Sequence, residues 1–191
     1  FGISILLFLI ITLSIIFRQL RWIILPILTC SFSVIITSGI LGFFGWEVTV
    51  ISSNFISFEL IITMAITIHL IVRYRELINN NKEQSQQKLV LNTVLLMAKP
   101  CFYTVITTIA GFSSLILSGL LPVINFGWMM SAGVTVSLML TFILFPALQV
   151  QFPKLIPDNS FDNKFSLPSF FALFTKNNGT FIIITSIMVF I

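Results

Sequence analysis

The stretch "FELIITMAITIHLIVRYRE", from Phe58 to Glu76, places a carboxylate and a histidine in an otherwise apolar segment that ends in a charged cluster. An α-helix needs about 20 mostly apolar residues to cross a bilayer. The whole chain of 191 residues is 57% hydrophobic and 8% charged, whereas soluble domains contain roughly 25% charged residues. The stretch therefore predicts one helix of an integral, all-α membrane protein.

Comparable apolar runs recur along the chain and predict a polytopic transmembrane helical bundle of five helices plus the start of a sixth. The predicted spans lie near residues 1–17, 22–45, 50–73, 99–120 and 124–149, followed by a cytoplasmic linker at 151–177 with an interfacial helix and by a further span beginning at 178–191. The chain begins and ends inside apolar runs, so we expect a fragment of a longer protein. Residues 89–99 are apolar enough to lie along the membrane surface or to begin the fourth span.

The basic residues predict the orientation of the bundle. All ten lie in the first, third and fifth connections: Arg18, Arg21, Arg73, Arg75, Lys82, Lys88, Lys99, Lys154, Lys164 and Lys176. Because short cytoplasmic loops are enriched in Lys and Arg, these connections are predicted to be cytoplasmic. Their position beside the spans indicates contact with membrane lipids and argues against a nucleic-acid partner, although the net charge is +4.

Glu59 and His69 are the candidate chemical groups. A charge at the bilayer centre costs roughly 3 kcal/mol on insertion scales, so such residues usually mark function. Glu59, Thr63 and Thr67 share one helical stripe, whereas His69 lies about 15 Å along the axis and roughly 80° around it. The functional interpretation is a proton-coupling carboxylate and a relay histidine. The alternatives are a protonated glutamate near the outer water layer and a neutral histidine hydrogen-bonded between helices.

Other residues are predicted to pack the helices together or to lie at the membrane surface. Small residues let membrane helices approach closely, and those assigned to helix packing are Gly39, Gly42, Gly111, Gly127 and Gly133. Arg73, Arg75 and Glu76 are predicted to end their helix at the cytoplasmic interface. The two cysteines fall in apolar segments and are interpreted as packing residues. We expect no metal, no cofactor and no enzymatic activity, because the sequence contains no nucleophile–base pair, metal-ligand cluster or phosphate-binding loop.

An ordered set of motifs follows this topology: "HLIVRYRE" from His69, "TTIAGFSSL" from Thr107, "PVINFGWMMSAGV" from Pro122 and "ILFPALQ" from Ile143. The set resembles the resistance-nodulation-division superfamily, in particular its MMPL-type exporters, whose core is similar to the sterol-sensing domain. The resemblance implies that the chain spans helices two to seven of a longer protein. Porter domains and a second helical half of the same full-length chain would complete it.

The resemblance also implies that the usual proton-coupling aspartate is missing from its position in this chain. Related exporters usually have an aspartate three residues before the histidine, where this chain has Ile66. Glu59 could have taken over its role, the acid could lie in the second half, or the proton drive could be lost. The resemblance also makes the pair Thr107 and Thr108 a candidate partner of the helix that contains Glu59 and His69.

The function implied by the resemblance is a multi-pass transporter of the bacterial inner membrane. It would move a lipid or another hydrophobic or amphiphilic substrate, driven by the proton gradient, with association into a homo-oligomer left open. The alternative is a non-transporting lipid-sensing or scaffold domain, which the missing aspartate favours. An accessory subunit of protein export ranks last, because its acidic motif is missing.

Overall fold

The computed structural model describes residues 2–17, 19–45, 54–81, 83–152, 176 and 179. The chain divides into two compact units, Phe1–Leu155 and Ile156–Ile191. The second unit contains only two described residues. The predicted interfacial helix of the linker and the span predicted from residue 178 therefore lie outside the described part of the structure.

Every regular element in the described residues is helical, which confirms the predicted all-α class. The five α-helices are α1 (Gly2–Phe17), α2 (Leu20–Phe43), α3 (Phe55–Asn80), α4 (Gln86–Ser114) and α5 (Leu121–Gln151), with a short 3-10 helix at Leu115–Ser118 after α4. By length and composition, the helices from α2 to α5 are long and apolar enough to cross a membrane, and α1 is a shorter apolar helix. The chain is an integral, multi-pass membrane protein.

The connection between α3 and α4 is shorter than the sequence predicted, because both helices extend into it. The charged cluster of Arg73, Arg75 and Glu76 was expected to end α3, but the helix continues to Asn80. It continues because Ile78 still packs, fully buried, in the same core as Leu89 of α4. Residues 89–99 belong to one uninterrupted helix with Pro100 in its interior.

The helices form a bundle in which α3 packs against α1, α2, α4 and α5. At one end, here called the basic end, the guanidinium of Arg21 in α2 donates to the carbonyl of Gln149 in α5, at 3.1 Å. At the same end Arg75 of α3 lies over the ring of Phe17 in α1, 5.2 Å from its centroid. Arg21 and Arg75 are two of the residues predicted to be cytoplasmic, and the other end of the bundle is called the opposite end.

The buried apolar residues form two cores, which overlap in the middle of the bundle and extend toward its two ends. The core at the basic end includes Trp22, Tyr74, Leu89 and Phe145. The core at the opposite end includes Leu41, Phe55, Phe126, Met129 and Val105. Many large apolar side chains of the outer faces are exposed, as expected for helices that contact lipid.

Helices α4 and α5 are in close contact at Gly127. A Cβ atom added there would lie 2.7 Å from the carbonyl oxygen of Phe112, which is a backbone atom. At Gly39, Gly42 and Gly111 an added Cβ would meet nothing within 4 Å among the described residues. Of the five glycines predicted to pack helices, these three therefore make no close contact here, because each faces away from its neighbours.

Replacing Gly127 with alanine is expected to lower the free energy of unfolding by about 2 kcal/mol, the usual cost of an overpacked contact. The measurement is the thermal unfolding midpoint of the purified protein in detergent. The matched control is Gly111→Ala, which should be neutral or stabilising by up to about 1 kcal/mol through helix propensity. Equal midpoints for both variants would contradict the close approach.

Candidate functional site: a buried carboxylate among hydroxyl groups

Glu59 lies at the junction of α2, α3 and α5, and its side chain is only 1% exposed. Its position four residues into α3 places it closer to the opposite end than to the basic end. It forms no ion pair with any described residue. A buried carboxylate without a cation needs hydrogen bonds to offset its loss of hydration, and here hydroxyl groups of the neighbouring helices provide them.

One carboxylate oxygen of Glu59 accepts all of these hydrogen bonds. Two hydroxyls of α2 donate to Oε1, from Ser33 at 2.7 Å and from Thr37 at 2.6 Å. The hydroxyl of Ser137 in α5 lies 3.5 Å from the same oxygen. The other oxygen, Oε2, is buried and has no hydrogen-bond partner among the described residues. The carboxylate thus connects three helices through a single atom.

The hydroxyls also bond to one another. Ser33 and Ser137 are 2.8 Å apart, oxygen to oxygen. The hydroxyl of Thr63 lies 2.8 Å from that of Ser137 and 2.7 Å from the backbone carbonyl of Glu59. Since a hydroxyl has one proton to donate, Thr63 bonds to one of these acceptors at a time. The cluster can therefore rearrange its hydrogen bonds without moving a helix.

A glycine makes room for the carboxylate. A Cβ atom added at Gly133 of α5 would lie 3.3 Å from Oε2 of Glu59 and 3.4 Å from the side-chain methyl of Thr37. Gly133 was predicted as a packing residue, and its packing partner is the candidate functional group itself. Gly133 and Ser137 are one turn apart, which places both on the face of α5 that meets Glu59.

The threonine stripe of α3 is buried as a unit. Thr63 and Thr67 are both 0% exposed. Thr67 donates to the backbone carbonyl of Thr63 at 2.8 Å, and it makes no described contact with Glu59. The predicted stripe therefore faces the interior, but only Thr63 belongs to the hydrogen-bonded cluster.

The structure separates the other predicted site residues from this cluster. His69 lies on the exposed face of α3. Thr107 and Thr108 of α4 are exposed and partly exposed, and both donate to the carbonyl of Thr104 in their own helix, at 2.8 Å. Their hydroxyls thus bond to α4 itself and not to α3. No described contact joins either group to Glu59.

The predicted interfacial cluster lies at the basic end. Arg73 and Glu76 form an ion pair at 2.6 Å, one turn apart and partly exposed. Such a surface pair contributes little to stability, about 0.5 kcal/mol. The ion pair makes no described contact with the hydroxyl cluster.

Sequence reasoning missed the α2 contribution to the site. Thr29, Ser33 and Thr37 are each 0% exposed, and their spacing of four residues places them on one helix face. On α5, Gly133, Ser137 and Thr141 have the same spacing. This repeat of glycine, serine and threonine is visible in the sequence and could have predicted which faces of α2 and α5 surround Glu59.

Comparison with known proteins identifies one family. The model of the MMPL family matches residues 1–159 of the chain. No curated protein and no solved structure matches it. The family match covers all the helices described above and every residue of the hydroxyl cluster.

Proposed function

Because the chain belongs to the MMPL family, we propose that it forms part of a bacterial inner-membrane transporter of lipids or other hydrophobic or amphiphilic substrates, driven by the proton gradient. The observation that supports a proton-driven cycle is Glu59: a carboxylate that is almost fully buried, lacks an ion-pair partner among the described residues and accepts hydrogen bonds from another helix.

The chemistry of the cycle follows from the cost of burying a charge. Protonated Glu59 is neutral and can remain in the apolar interior at little cost. Loss of the proton leaves a charge that Ser33 and Thr37 stabilise through one oxygen, while the other lacks a partner among the described residues. Either the helices must then shift or water must enter, so that this second carboxylate oxygen gains a hydrogen-bond partner. In this proposal, that adjustment between α2, α3 and α5 is the step coupled to substrate movement.

The second candidate is a lipid-sensing or scaffold domain that does not transport. It is favoured by Ile66, which occupies the position where related exporters usually have an aspartate. Ile66 is 4% exposed and packs in the apolar core of the opposite end. An apolar residue there requires that any coupling acid lie elsewhere, and Glu59 is the buried acid in the described part of the chain.

The test uses the full-length protein in proteoliposomes. Efflux of a fluorescent phospholipid is followed with an imposed pH gradient, without it, and after a protonophore collapses it. We expect efflux that depends on the gradient and stops when the gradient collapses. Lipid binding to the same preparation, with equal efflux in all three conditions, would refute transport driven by protons and favour the sensing domain.

A further inference from the structure

The polar groups near Glu59 are distributed unequally between the two ends of the bundle. One turn toward the opposite end, Leu41, Phe55 and Met129 are all buried and apolar. One turn toward the basic end, the corresponding positions are Ser33, Thr63 and Ser137, which bond to one another. Among the described residues, the layer next to Glu59 is therefore apolar toward the opposite end and consists of hydroxyl residues toward the basic end.

The hydroxyl groups form a chain with a direction. Thr63 can donate to Ser137, Ser137 to Ser33, and Ser33 donates to Oε1 of Glu59, with successive distances of 2.8, 2.8 and 2.7 Å. Each hydroxyl in such a chain accepts one proton as it passes another on. The chain thus connects Glu59 to the layer of hydroxyls one turn nearer the basic end and runs across that layer from Ser33 to Thr63.

The polar stripe continues one turn further. By helical register the next layer contains Thr29, Thr67 and Thr141, each 0% exposed. Thr29 and Thr67 donate to carbonyls of their own helices. The hydroxyl of Thr141 is buried and has no partner among the described residues. A buried hydroxyl without a partner favours an ordered water molecule beside it.

Beyond Thr141 a single apolar layer separates this stripe from a second polar group. Phe145 is fully buried and its ring meets that of Tyr74 edge to face, with centroids 6.1 Å apart. Past Phe145, the hydroxyl of Tyr74 and the side-chain amide of Gln149 are buried next to each other, and neither completes a well-aligned hydrogen bond among the described residues. Arg21 binds the backbone carbonyl of Gln149 at the basic end.

We propose that this line of groups is a proton pathway between Glu59 and the cytoplasm. Water molecules at Thr141 and beside the adjacent Tyr74 and Gln149 side chains extend the hydroxyl chain, and Phe145 is the barrier that interrupts it. The inference rests on the proposed function, because it needs Glu59 to exchange protons. It assigns the route to the interface of α2, α3 and α5, and not to the exposed face of α3 that contains His69.

The titratable and charged groups near the route come from α2 and α3. Helix α2 contributes Cys30, whose thiol contacts the carbonyl of Leu60 at 3.6 Å, and Arg21. Helix α3 contributes Tyr74 and Arg75. Helix α5 has no titratable side chain. The proton that moves along the route is therefore received by Glu59, with hydroxyls and water as the intermediate groups.

The test measures proton uptake by the full-length protein in vesicles of phosphatidylethanolamine and phosphatidylglycerol, with a pH-sensitive dye inside. Thr141→Val removes the unpartnered hydroxyl with little change of shape. We expect uptake to slow at least about tenfold, the effect of one lost hydrogen bond on a barrier. Tyr74→Phe should also slow proton uptake. The matched control is Thr135→Val, on the same helix, whose hydroxyl bonds only to the Ser131 carbonyl.

Three further measurements make the test decisive. Thr141→Ser keeps the hydroxyl and should restore uptake even if Thr141→Val folds poorly. Phe145→Leu should permit proton leakage without substrate. Unchanged uptake in Thr141→Val and Tyr74→Phe, together with loss of uptake in Glu59→Gln, would overturn the route and leave the proposed function intact. No effect of Glu59→Gln would also overturn the route, since the coupling acid would then lie elsewhere in the full-length protein.

Discussion

Replacing Glu59 with glutamine is expected to abolish substrate movement driven by the pH gradient in the full-length protein, while the helices stay folded. The amide oxygen can still accept the hydrogen bonds of Ser33 and Thr37, but the side chain no longer gains and loses a proton. Loss of a proton-transfer group typically costs at least about a hundredfold in rate. The measurement is lipid efflux from proteoliposomes at equal protein content, with and without the gradient.

Two variants serve as controls for this prediction. Glu59→Asp keeps the acid but shortens the side chain, so it should retain partial gradient-driven efflux with weakened contacts to α2. Thr135→Val lies outside the cluster and should behave as wild type. Full gradient-driven efflux in Glu59→Gln would place the coupling acid elsewhere in the full-length protein. An unfolded Glu59→Gln would show that the residue is needed for structure.

Replacing Gly133 with leucine is expected to have the largest effect on folding. Even a single Cβ at this position would approach the Glu59 carboxylate at 3.3 Å and Thr37 at 3.4 Å. The larger side chain must push α5 away from α2 and α3 and break the hydrogen bonds that Glu59 makes across them. We expect a loss of about 3 kcal/mol or more, the upper range for overpacked cores. The measurement is the yield of monodisperse protein and its unfolding midpoint.

The matched control is Gly39→Leu. Gly39 also lies in a membrane helix, but an added Cβ there would meet nothing within 4 Å among the described residues. The same change of residue should therefore leave the unfolding midpoint within about 1 kcal/mol of wild type, since it alters mainly helix propensity. If Gly133→Leu were as stable as Gly39→Leu, the close packing around the carboxylate would be refuted.

The class of protein and its family could be predicted from the sequence because both depend on local and additive properties. Apolar runs long enough to cross a bilayer predict membrane helices wherever they occur, and the four longest helices of the structure meet this criterion. The resemblance to MMPL-type proteins was confirmed by the family match over residues 1–159. The cost of exposing a carboxylate to lipid made a buried Glu59 one of two interpretations, the other being a protonated glutamate near the outer water layer.

Only the tertiary structure decided which side chains meet. Helical spacing placed Glu59, Thr63 and Thr67 on one face of α3, but it could not show that Ser33, Thr37 and Ser137 face them, because these contacts join residues up to 104 positions apart. It likewise could not show that His69 and Thr107 lie away from the hydroxyl cluster, since a lone helix has no neighbours. Membrane helices are uniformly apolar, so which face is buried depends on small and hydroxyl residues of several helices at once, and that information exists only when the helices are packed together.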